Sequence, residues 1–289
     1  MKTRYVLITP ARNEERYIRT TIESVCAQRV LPARWIIVSD GSTDQTDNIV
    51  TQYSRQHTFI TLLRRSAERT RSYGSKVRAI WLGIEELRRS EYDFIGILDA
   101  DITFEPNYYE QVLQEFARNQ RLGIAGGIIA EVGGQPLRLG RGVTQRYVSG
   151  TIQLFRRQCY EEIGGLPALR YGGEDTAAVE MALLQGWEVR TIEDLIVRHH
   201  RRMGSEGIGI LRARFRHGFE DYCLGYHPVF ETGKCVRRIA EPPYLLGSLL
   251  RISGYAWGSL SAPKRELPPD FVKHLRTQQI HRLFGGRHG

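Results

Sequence analysis

Four short, continuous runs of apolar residues divide the first hundred positions of the chain. They cover residues 5–9, 35–38, 59–63 and 94–98. Uninterrupted apolar runs of this length are typical of strands that are buried on both faces of a parallel sheet. The pattern therefore predicts four such strands in this part of the sequence.

The segments between and after these runs show a helical period instead. Apolar residues recur there three or four positions apart, so that they share one face of a helix. The three faces consist of Ile18, Ile22 and Val25; of Val77, Ile80, Trp81, Ile84 and Leu87; and of Tyr108, Val112 and Phe116. Alternating strands and helices predict right-handed βαβ units in an α/β fold with an open, mostly parallel sheet. Ligands of such sheets bind at the carboxyl ends of the strands.

The Gly- and Arg-rich stretch 131–150 interrupts this alternation. It is too long and too polar for a simple turn, so we interpret it as a mobile active-site loop. Beyond it, the pattern predicts a strand near 151–155, a helix from about Glu174 to just before Gly186, and a strand near 187–192.

Positive charge is concentrated at the C-terminal end. The 289-residue chain has a net charge of +9, and 15 Lys and Arg stand against 7 Asp and Glu from Arg201 onward. We expect a basic, mainly helical extension at 203–289, following a larger domain at 1–202. Such an extension could meet nucleic acid, anionic lipid or a phosphorylated acceptor, or it could be a solvated face; charge alone does not choose among them.

One segment of the extension, 244–262, is apolar enough to raise the question of a membrane span. It carries Arg251, several Ser and three Gly, so we expect no span. An interfacial amphipathic helix and a helix packed on the larger domain both remain open. The N-terminus lacks a signal-peptide pattern and the four cysteines are scattered, which favours a cytoplasmic protein with reduced thiols, with peripheral contact at the inner face of the membrane as an option.

Two carboxylates, Asp99 and Asp101, directly follow the apolar run 94–98. Residues i and i+2 of an extended chain point the same way, so both side chains could face one hard cation that carries a diphosphate on its other side. An acidic pair at a strand end could equally cap the following helix.

Polar groups follow two further predicted strands. Asp40 lies in SDGSTD at 39–44, after the run 35–38, and TPARNEE at 9–15 follows the first run. A carboxylate at Asp40 could accept the imide N–H of a uracil base. Because the strands are predicted to be parallel, the three strand ends should converge on one crevice.

Five motifs occur in a fixed order along the chain: TPARNEE at 9–15, SDGSTD at 39–44, GSKVRAIWLGI at 74–84, LDADITFEP at 98–106 and GGED at 172–175. Together they resemble glycosyltransferase family 2, whose members are inverting enzymes with a GT-A fold. The resemblance extends from about residue 5 to about residue 200. It implies a nucleotide-sugar half at about 1–101 and an acceptor half at about 102–202. It also implies a nucleotide-sugar donor, Mg2+ or Mn2+, and inversion at the anomeric carbon.

On the donor side, the resemblance assigns residues to each part of the nucleotide sugar. These residues are Pro10, Arg12 and Glu14 in the nucleotide pocket, Asp40 at the base, Lys76 and Arg78 near the phosphates, and Asp99 at the ribose or the sugar. Asp101 would hold the metal. A metal at this position would neutralise the charge that develops on the leaving diphosphate.

On the acceptor side, Glu174 and Asp175 match the family's acidic pair, in which the aspartate is the general base. A base of this kind takes the proton of the acceptor hydroxyl. The alternative for Asp175 is a first-turn acid that stabilises its helix through the dipole.

His199 and His200 follow the last predicted strand. Adjacent residues of an extended segment face opposite sides, so at most one of them is expected to enter the site, as a third metal ligand or a phosphate donor, with His199 favoured. Both could equally be structural. Arg138, Arg141 and Arg146 could close over the diphosphate, or they could belong to a solvated loop.

The sequence departs from the family pattern at two positions. The family often has two acids where this chain has Ser39 and Asp40, and another acid where Ile102 stands. Processive members carry a Q-x-x-R-W string and transmembrane helices; the nearest counterpart here, at 211–215, is followed by no span. We therefore expect transfer of a single sugar.

The expected partners are a nucleotide-sugar donor, with a UDP-sugar favoured and a GDP-sugar as the alternative, and a glycan or lipid-linked acceptor. No nucleic acid is expected, because no recognised nucleic-acid-binding motif accompanies the basic extension. Oligomerisation remains open. Two other functions remain as alternatives: a catalytically silent nucleotide-sugar-binding or scaffold protein, and a sugar-1-phosphate nucleotidyltransferase, whose Gly-rich loop after the first strand is missing here.

Overall fold

The computed structural model describes residues 3–66, 73–131, 147–201, 209–240, 243–261 and 263–284. Contacts divide the chain into two compact units. Unit 1 comprises Met1–Arg170 and Glu174–Arg202, and unit 2 comprises Tyr171–Gly173 and Met203–Gly289. This division does not show what each unit does. The catalytic role of 1–202, its division into two halves and the role of the extension therefore stay predictions.

Unit 1 is an α/β unit. Its strands are β1 (Tyr5–Ala11), β2 (Arg34–Asp40), β3 (Ile60–Arg65), β4 (Phe94–Leu98), β5 (Ile102–Phe104), β6 (Leu122–Glu131), β7 (Ile152–Arg156) and β8 (Glu188–His199). Its helices are α1 (Ile18–Cys26), α2 (Thr46–Gln56), α3 (Tyr73–Glu86), α4 (Tyr108–Arg118), α5 (Arg157–Glu162) and α6 (Glu174–Leu184).

The strands form one mixed sheet in the order β3-β2-β1-β4-β7-β6-β8-β5. The first four strands in this order, β3 to β4, run parallel, as do β6 and β8, whereas β7 is antiparallel to both of its neighbours and β5 is antiparallel to β8. The structure confirms the predicted α/β fold with a mostly parallel sheet flanked by helices.

The parallel half of the sheet has the alternation that two buried faces require. Tyr5 and Leu7 of β1 pack into one apolar cluster with α1 and α4, whereas Val6 and Ile8 pack into a second cluster with α3. Successive side chains of a strand point to opposite faces, so a continuous apolar run is what covers both sides.

Several elements of unit 1 were not predicted. They are α2, β5, β6 and α5. β6 is Gly-rich, and close backbone approach explains two of its glycines: a Cβ on Gly126 would lie 2.4 Å from the carbonyl oxygen of Ile152, and one on Gly127 would lie 2.3 Å from that of Leu195. A strand built on such contacts has no clear apolar period in the sequence.

Unit 2 is helical, which confirms the predicted helical character of the C-terminal region. Its helices are α7 (Ile210–Leu224), α8 (Pro228–Arg237), α9 (Tyr244–Ser261) and α10 (Pro269–Phe284). None of the helices in the described residues has the length and apolar character needed to cross a bilayer.

A buried group of four charges joins α7, α8 and α9. Asp221 contacts Lys234 at 2.8 Å and also pairs with Arg251, while Glu231 accepts from Arg251 at 2.9 Å and from Lys234 at 2.8 Å. Two acids and two bases balance each other, so removing one member would leave an uncompensated buried charge. Arg251, which argued against a membrane span, therefore lies inside unit 2.

Helices α7 and α9 run parallel and approach closely through glycines. A Cβ on Gly218 would lie 1.8 Å from the carbonyl oxygen of Arg251, and one on Gly254 would lie 1.9 Å from that of Phe215. No side chain fits between these backbones. The small-residue face of α9 is thus what permits the contact.

We expect Gly254→Ala to destabilise unit 2, because the added methyl group meets a backbone carbonyl that cannot rotate away. Overpacking of this kind costs about 1–3 kcal/mol and occasionally more. Gly233→Ala in α8 is a matched control, since its Cβ would meet only the flexible side chain of Leu283, at 3.3 Å. Urea unfolding of both variants measures the difference; equal midpoints would show that the two helices are further apart.

Candidate active site

Three neighbouring parallel strands end at one edge of the sheet. β1 lies between β2 and β4, and the chain leaves these strands at Ala11, Asp40 and Leu98. The edge therefore brings together the loop that begins at Arg12, the carboxylate of Asp40 and the acidic pair that begins at Asp99. This is the crevice where ligands of open α/β sheets bind.

Hydrogen bonds join the loop after β1 to the loop after β2. Asn13 adopts a positive φ of 56°, and its Oδ1 accepts from the backbone N–H of Thr43 at 2.8 Å. The backbone N–H of Glu14 donates to Oγ1 of Thr46 at 2.7 Å, and that of Glu15 donates to Asp44 at 3.0 Å. These contacts hold the two loops as one wall of the crevice.

Arg12 lies in this wall. Its Nη1 atom is buried and has no hydrogen-bond partner within the described part of the chain. Most buried donors are satisfied, so an exception of this kind calls for an explanation. A guanidinium group prefers planar anionic acceptors such as phosphate or carboxylate.

The carboxylate of Asp40 is buried and has two partners that sequence reasoning missed. Ser75 Oγ donates to its Oδ2 at 2.6 Å, and Arg65 Nε lies 3.0 Å from its Oδ1. Arg65 ends β3, directly opposite Asp40 in the parallel register of β2 and β3. Placing the predicted second and third strands side by side, with their carboxyl ends level, would have found this pair. A carboxylate has about four acceptor positions, so Asp40 keeps capacity for a further donor.

Lys76, in the first turn of α3, lies at the centre of a charged group. Its Nζ contacts Asp99 Oδ1 at 2.7 Å. Burial alone would lower the pKa of Lys76, but the charges of Asp99 and Glu174 raise it above the usual value. Burial and the nearby Asp101 raise the pKa of Asp99, an effect that Lys76 opposes. Lys76 is therefore a cation between Asp99, which follows β4, and the acidic pair of α6.

Asp101 lies beside His199 and Arg201. Its Oδ1 is 3.2 Å from His199 Nε2, and its Oδ2 is 3.4 Å from Arg201 Nε. Burial would raise the pKa of Asp101, but the hydrogen bond from His199 and the charges of His199 and Arg201 hold it below the usual value. Asp101 is thus an anion over the ordinary pH range.

The strand pair β5 and β8 produces this arrangement, because His199 lies opposite Ile102 in the antiparallel register. The side chain of His200 points elsewhere: its Nε2 is 2.9 Å from Thr103 Oγ1, and its ring stacks on Tyr17 with centroids 6.3 Å apart. The structure therefore brings His199, and not the side chain of His200, to Asp101.

Three further residues predicted for the donor side have their own contacts. Glu14 pairs with Arg201, a residue to which sequence reasoning gave no role. The Arg78 guanidinium group lies over Gly74, where a Cβ would be 2.8 Å from its Nη1. Pro10 occupies the carboxyl-terminal end of β1, beside Val38 of β2. Proline suits this position because pairing of β1 with β4 has ended at Ile8.

Asp175 lies in the first turn of α6 and is oriented by three donors. Its Oδ2 accepts from the Tyr147 hydroxyl and from the backbone N–H of Gly150, each at 3.1 Å, and its Oδ1 accepts from the N–H of Thr176 at 2.7 Å. Burial and the charge of Asp175 raise the pKa of neighbouring Glu174, although Lys76 opposes this. Tyr147 was another residue missed from the sequence.

The predicted loop arginines, Arg138, Arg141 and Arg146, lie outside the described residues. Within the described residues, no group of three or more His, Cys, Asp and Glu side chains forms a preformed metal cage. The donor set of Asp101 and His199 nevertheless fits a hard divalent cation. Mg2+ and similar ions usually take one or two carboxylates and complete their shell with substrate phosphates and water.

Solved structures establish the class of this fold. The mannosyltransferase PcManGT from Pyrobaculum calidifontis, in complex with GDP-Man and Mn2+, superimposes with a TM-score of 0.60 at 17% identity, over 99% of this chain and 89% of that one. At this identity the likeness shows the fold alone, which is GT-A-like.

The sequence comparison identifies the family. A profile described as "Glycosyl transferase family 2" matches residues 6–157, more than half of the chain. The chain therefore belongs to glycosyltransferase family 2, which confirms the resemblance seen in its motifs.

Two curated relatives show how far the similarity extends. The putative glycosyltransferase EpsH of Bacillus subtilis is 32% identical over 37% of this chain and 29% of its own length. The beta-monoglucosyldiacylglycerol synthase of Synechocystis sp. is 28% identical over 70% of this chain and 41% of its own length. The chain thus spans less than half the length of these relatives.

Proposed function

We propose that the chain is an inverting glycosyltransferase that moves a single sugar from a nucleotide-diphosphate donor to a glycan or lipid-linked acceptor. The observation that carries this proposal is the arrangement around Lys76, whose Nζ lies 2.7 Å from Asp99 Oδ1 and which also interacts electrostatically with Glu174 and Asp175. The carboxylates at the strand ends, on the donor side, and the acidic pair of α6 therefore share one site. A transferase needs donor-binding groups and a general base close to the same anomeric carbon.

On the donor side, each group has a distinct task. Asp40 accepts the imide N–H of the base, which favours UDP-sugars, while a GDP-sugar stays the alternative because guanine presents a similar N–H. Arg12, whose buried Nη1 has no partner in the described residues, donates to a phosphate or ribose oxygen. Lys76 holds the ribose- or sugar-binding Asp99 in place and adds positive charge near the phosphates.

Asp101 and His199 are the residues that would hold Mg2+ or Mn2+. A divalent ion there supplies Lewis-acid stabilisation of the negative charge on the departing nucleoside diphosphate. Arg201, which contacts both Asp101 and Glu14, keeps the Asp101 carboxylate ionised and aimed at the crevice.

On the acceptor side, Asp175 acts as the general base. The acceptor oxygen attacks the anomeric carbon, the bond to the diphosphate oxygen breaks, and the hydroxyl proton passes to the Asp175 carboxylate. Tyr147 and the N–H of Gly150 fix the orientation of that carboxylate. Attack from the face opposite the leaving group inverts the anomeric centre.

Two kinds of acceptor fit the proposed chemistry. A lipid-linked acceptor is supported by the similarity to beta-monoglucosyldiacylglycerol synthase, whose name describes a glycolipid product. A soluble glycan is the alternative. Both offer a hydroxyl nucleophile to Asp175, so the proposed chemistry is the same for either.

A thermal-shift panel of UDP- and GDP-sugars, with and without Mn2+, tests the donor assignment. Ligand at 100 times its Kd should add about 2.7 kcal/mol to the free energy of unfolding. Metal-dependent release of nucleoside diphosphate then separates an enzyme from a silent binding protein, which would give none. A panel without any stabilising nucleotide sugar would contradict the proposal.

Arg12→Met sharpens this test. The loss of one charge-assisted hydrogen bond, about 1.5–3 kcal/mol, should raise the Kd of the nucleotide sugar about 10- to 100-fold. The unliganded protein should be no less stable, because Nη1 of Arg12 has no partner to lose in the described residues. Arg55→Met removes the same charge from the exposed C-terminal end of α2 and serves as the control. Unchanged donor affinity in Arg12→Met would remove Arg12 from the site.

A further inference from the structure

Helix α9 of unit 2 has an apolar face that the fold leaves exposed. It consists of Leu245, Leu249, Ile252, Ala256 and Leu260, which recur three or four positions apart and so form one stripe. Leu249 is 53% exposed and Leu260 is 81% exposed. Leu246 and Trp257 border the stripe and are also exposed. The stripe extends over nearly the whole helix.

The opposite face of α9 makes the contacts that pack this helix against the rest of unit 2. Gly247, Gly254 and Gly258 face α7, and Arg251 lies in the buried charge group. All polar and small residues needed for packing are therefore on the inner side. The outer stripe is not required for the contact with α7.

The apolar surface continues onto α7. Leu211, Arg212, Phe215 and Arg216 of α7 line a groove together with Leu250 of α9. Because α7 and α9 are parallel, the exposed side chains of Ile210 and Leu211 lie at the same end as Leu245 and Leu246. We call the α9 stripe and this groove the apolar surface of unit 2.

Cations lie at the N-terminal end of this surface. The exposed residues Arg212 of α7 and Arg237, the last residue of α8, lie there. The described segments 209–217, 232–240 and 243–250, which meet at this end, contain no Asp or Glu. Ser248 donates to the carbonyl oxygen of Cys235, and Arg251 pairs with Glu231, so α8 is antiparallel to α9. The C-terminal end of α8, with Arg237, therefore lies beside the N-terminal end of α9.

We infer that the apolar surface of unit 2 binds an anionic phospholipid bilayer, with α9 lying in the plane of the interface. An amphipathic helix with an apolar face and neighbouring Lys or Arg is the usual form of such contacts. The side chains of the stripe enter the boundary between headgroups and acyl chains, and the arginines meet the lipid phosphates. This inference concerns a surface of unit 2 and does not depend on the proposed transferase activity.

Charge distinguishes a bilayer from a second copy of the chain. In a symmetric dimer the same patch lies on both subunits, so its described segments would offer no Asp or Glu to pair with the arginines of the other copy. Like charges juxtaposed at an interface are unfavourable. An anionic lipid surface is complementary to the same residues, and for this reason we favour it.

The test uses the full chain and vesicles of phosphatidylcholine, with or without phosphatidylglycerol, in a sedimentation assay at low and high salt. We expect binding to the anionic vesicles at low salt, little binding to neutral vesicles, and release at high salt. Emission of Trp257 should shift to shorter wavelength on binding, and this shift should be missing in Trp257→Phe.

Paired variants locate the surface. Leu249→Gln with Ile252→Gln should weaken vesicle binding at least about tenfold, because the polar side chains can no longer enter the acyl boundary. Arg212→Gln with Arg237→Gln should weaken it about 25-fold, since each cation contributes about fivefold. Val229→Gln is the matched control: it is similarly exposed, at 48%, but lies at the other end of α8.

Any of three results would overturn the inference. The first is absence of the protein from anionic vesicle pellets at low salt, and the second is an equal loss of binding in Val229→Gln. The third is a dimer without vesicle affinity that Leu249→Gln with Ile252→Gln converts to a monomer, which would make this surface a self-association interface. All of the variants lie outside the proposed site, so their stabilisation by a nucleotide sugar reports separately on the proposed function.

Discussion

Asp175→Asn is expected to lower kcat by about 10²- to 10⁴-fold while the Kd of the nucleotide sugar stays within a few-fold of the wild-type value. The substitution keeps the shape of the side chain but removes its ability to take a proton. Thr176 can still donate to an amide oxygen, as it does to Oδ1 of the aspartate at 2.7 Å. The measurement is steady-state transfer together with donor binding by calorimetry.

Two further variants make this result specific. Asp194→Asn is the same chemical change at an exposed carboxylate of β8 and should leave both constants unaltered. Tyr147→Phe removes one of the donors to Asp175 and should give a smaller loss of kcat than Asp175→Asn. A parallel loss of donor affinity and rate in Asp175→Asn would make Asp175 a donor ligand or a structural residue, and the acceptor-side assignment would be wrong.

The parallel half of the sheet was predictable because each of its strands carries its signal in its own short stretch of sequence. A strand such as β1 is covered on both faces, so each of its positions must be apolar, and the resulting run is visible in the sequence. The other half is different. β5 is a short strand whose pairing with β8 comes from residues nearly a hundred positions away, and nothing near Ile102 in the sequence indicates it.

The same distinction separates predicted from missed site residues. Asp40, Asp99 and Asp101 could be placed because parallel strands end at a common edge and the polar residues follow each apolar run directly. Their partners were missed, since Arg65 reaches Asp40 from the end of a neighbouring strand and Arg201 reaches Asp101 from beyond β8. Such contacts join residues that are far apart in the sequence, and neither residue type by itself indicates its partner.

Glu14 shows how a partner changes the interpretation of a motif residue. The motif TPARNEE assigned it to the nucleotide pocket, and that assignment stays a prediction. In the structure its carboxylate pairs with Arg201, which also contacts Asp101. We therefore expect Glu14 to act on the donor through Arg201 and Asp101 as much as through the nucleotide itself.

Asp101→Asn is expected to abolish the contribution of Mn2+ to donor binding and to reduce turnover more than about 10²-fold, because the leaving diphosphate then lacks its metal-mediated charge stabilisation. Asn is preferred to Ala here because Asp101 also neutralises His199 and Arg201, at 3.2 and 3.4 Å. The amide keeps the size of the side chain and one acceptor oxygen for one of these two groups, so the fold of β5 and β8 should survive. Thermal unfolding without ligand checks this.

The decisive measurement is the thermal shift produced by a UDP-sugar, recorded with and without Mn2+. In the wild-type protein Mn2+ should increase the shift, and in Asp101→Asn the two shifts should be equal. In His199→Gln the increase caused by Mn2+ should lie between that of the wild-type protein and that of Asp101→Asn, because this variant removes one proposed ligand and leaves the carboxylate. His200→Gln is the matched control, since His200 Nε2 lies against Thr103 and not against Asp101. If Asp101→Asn transfers sugar at the normal rate in Mn2+, the ion is bound elsewhere and Asp101 serves only to hold His199 and Arg201.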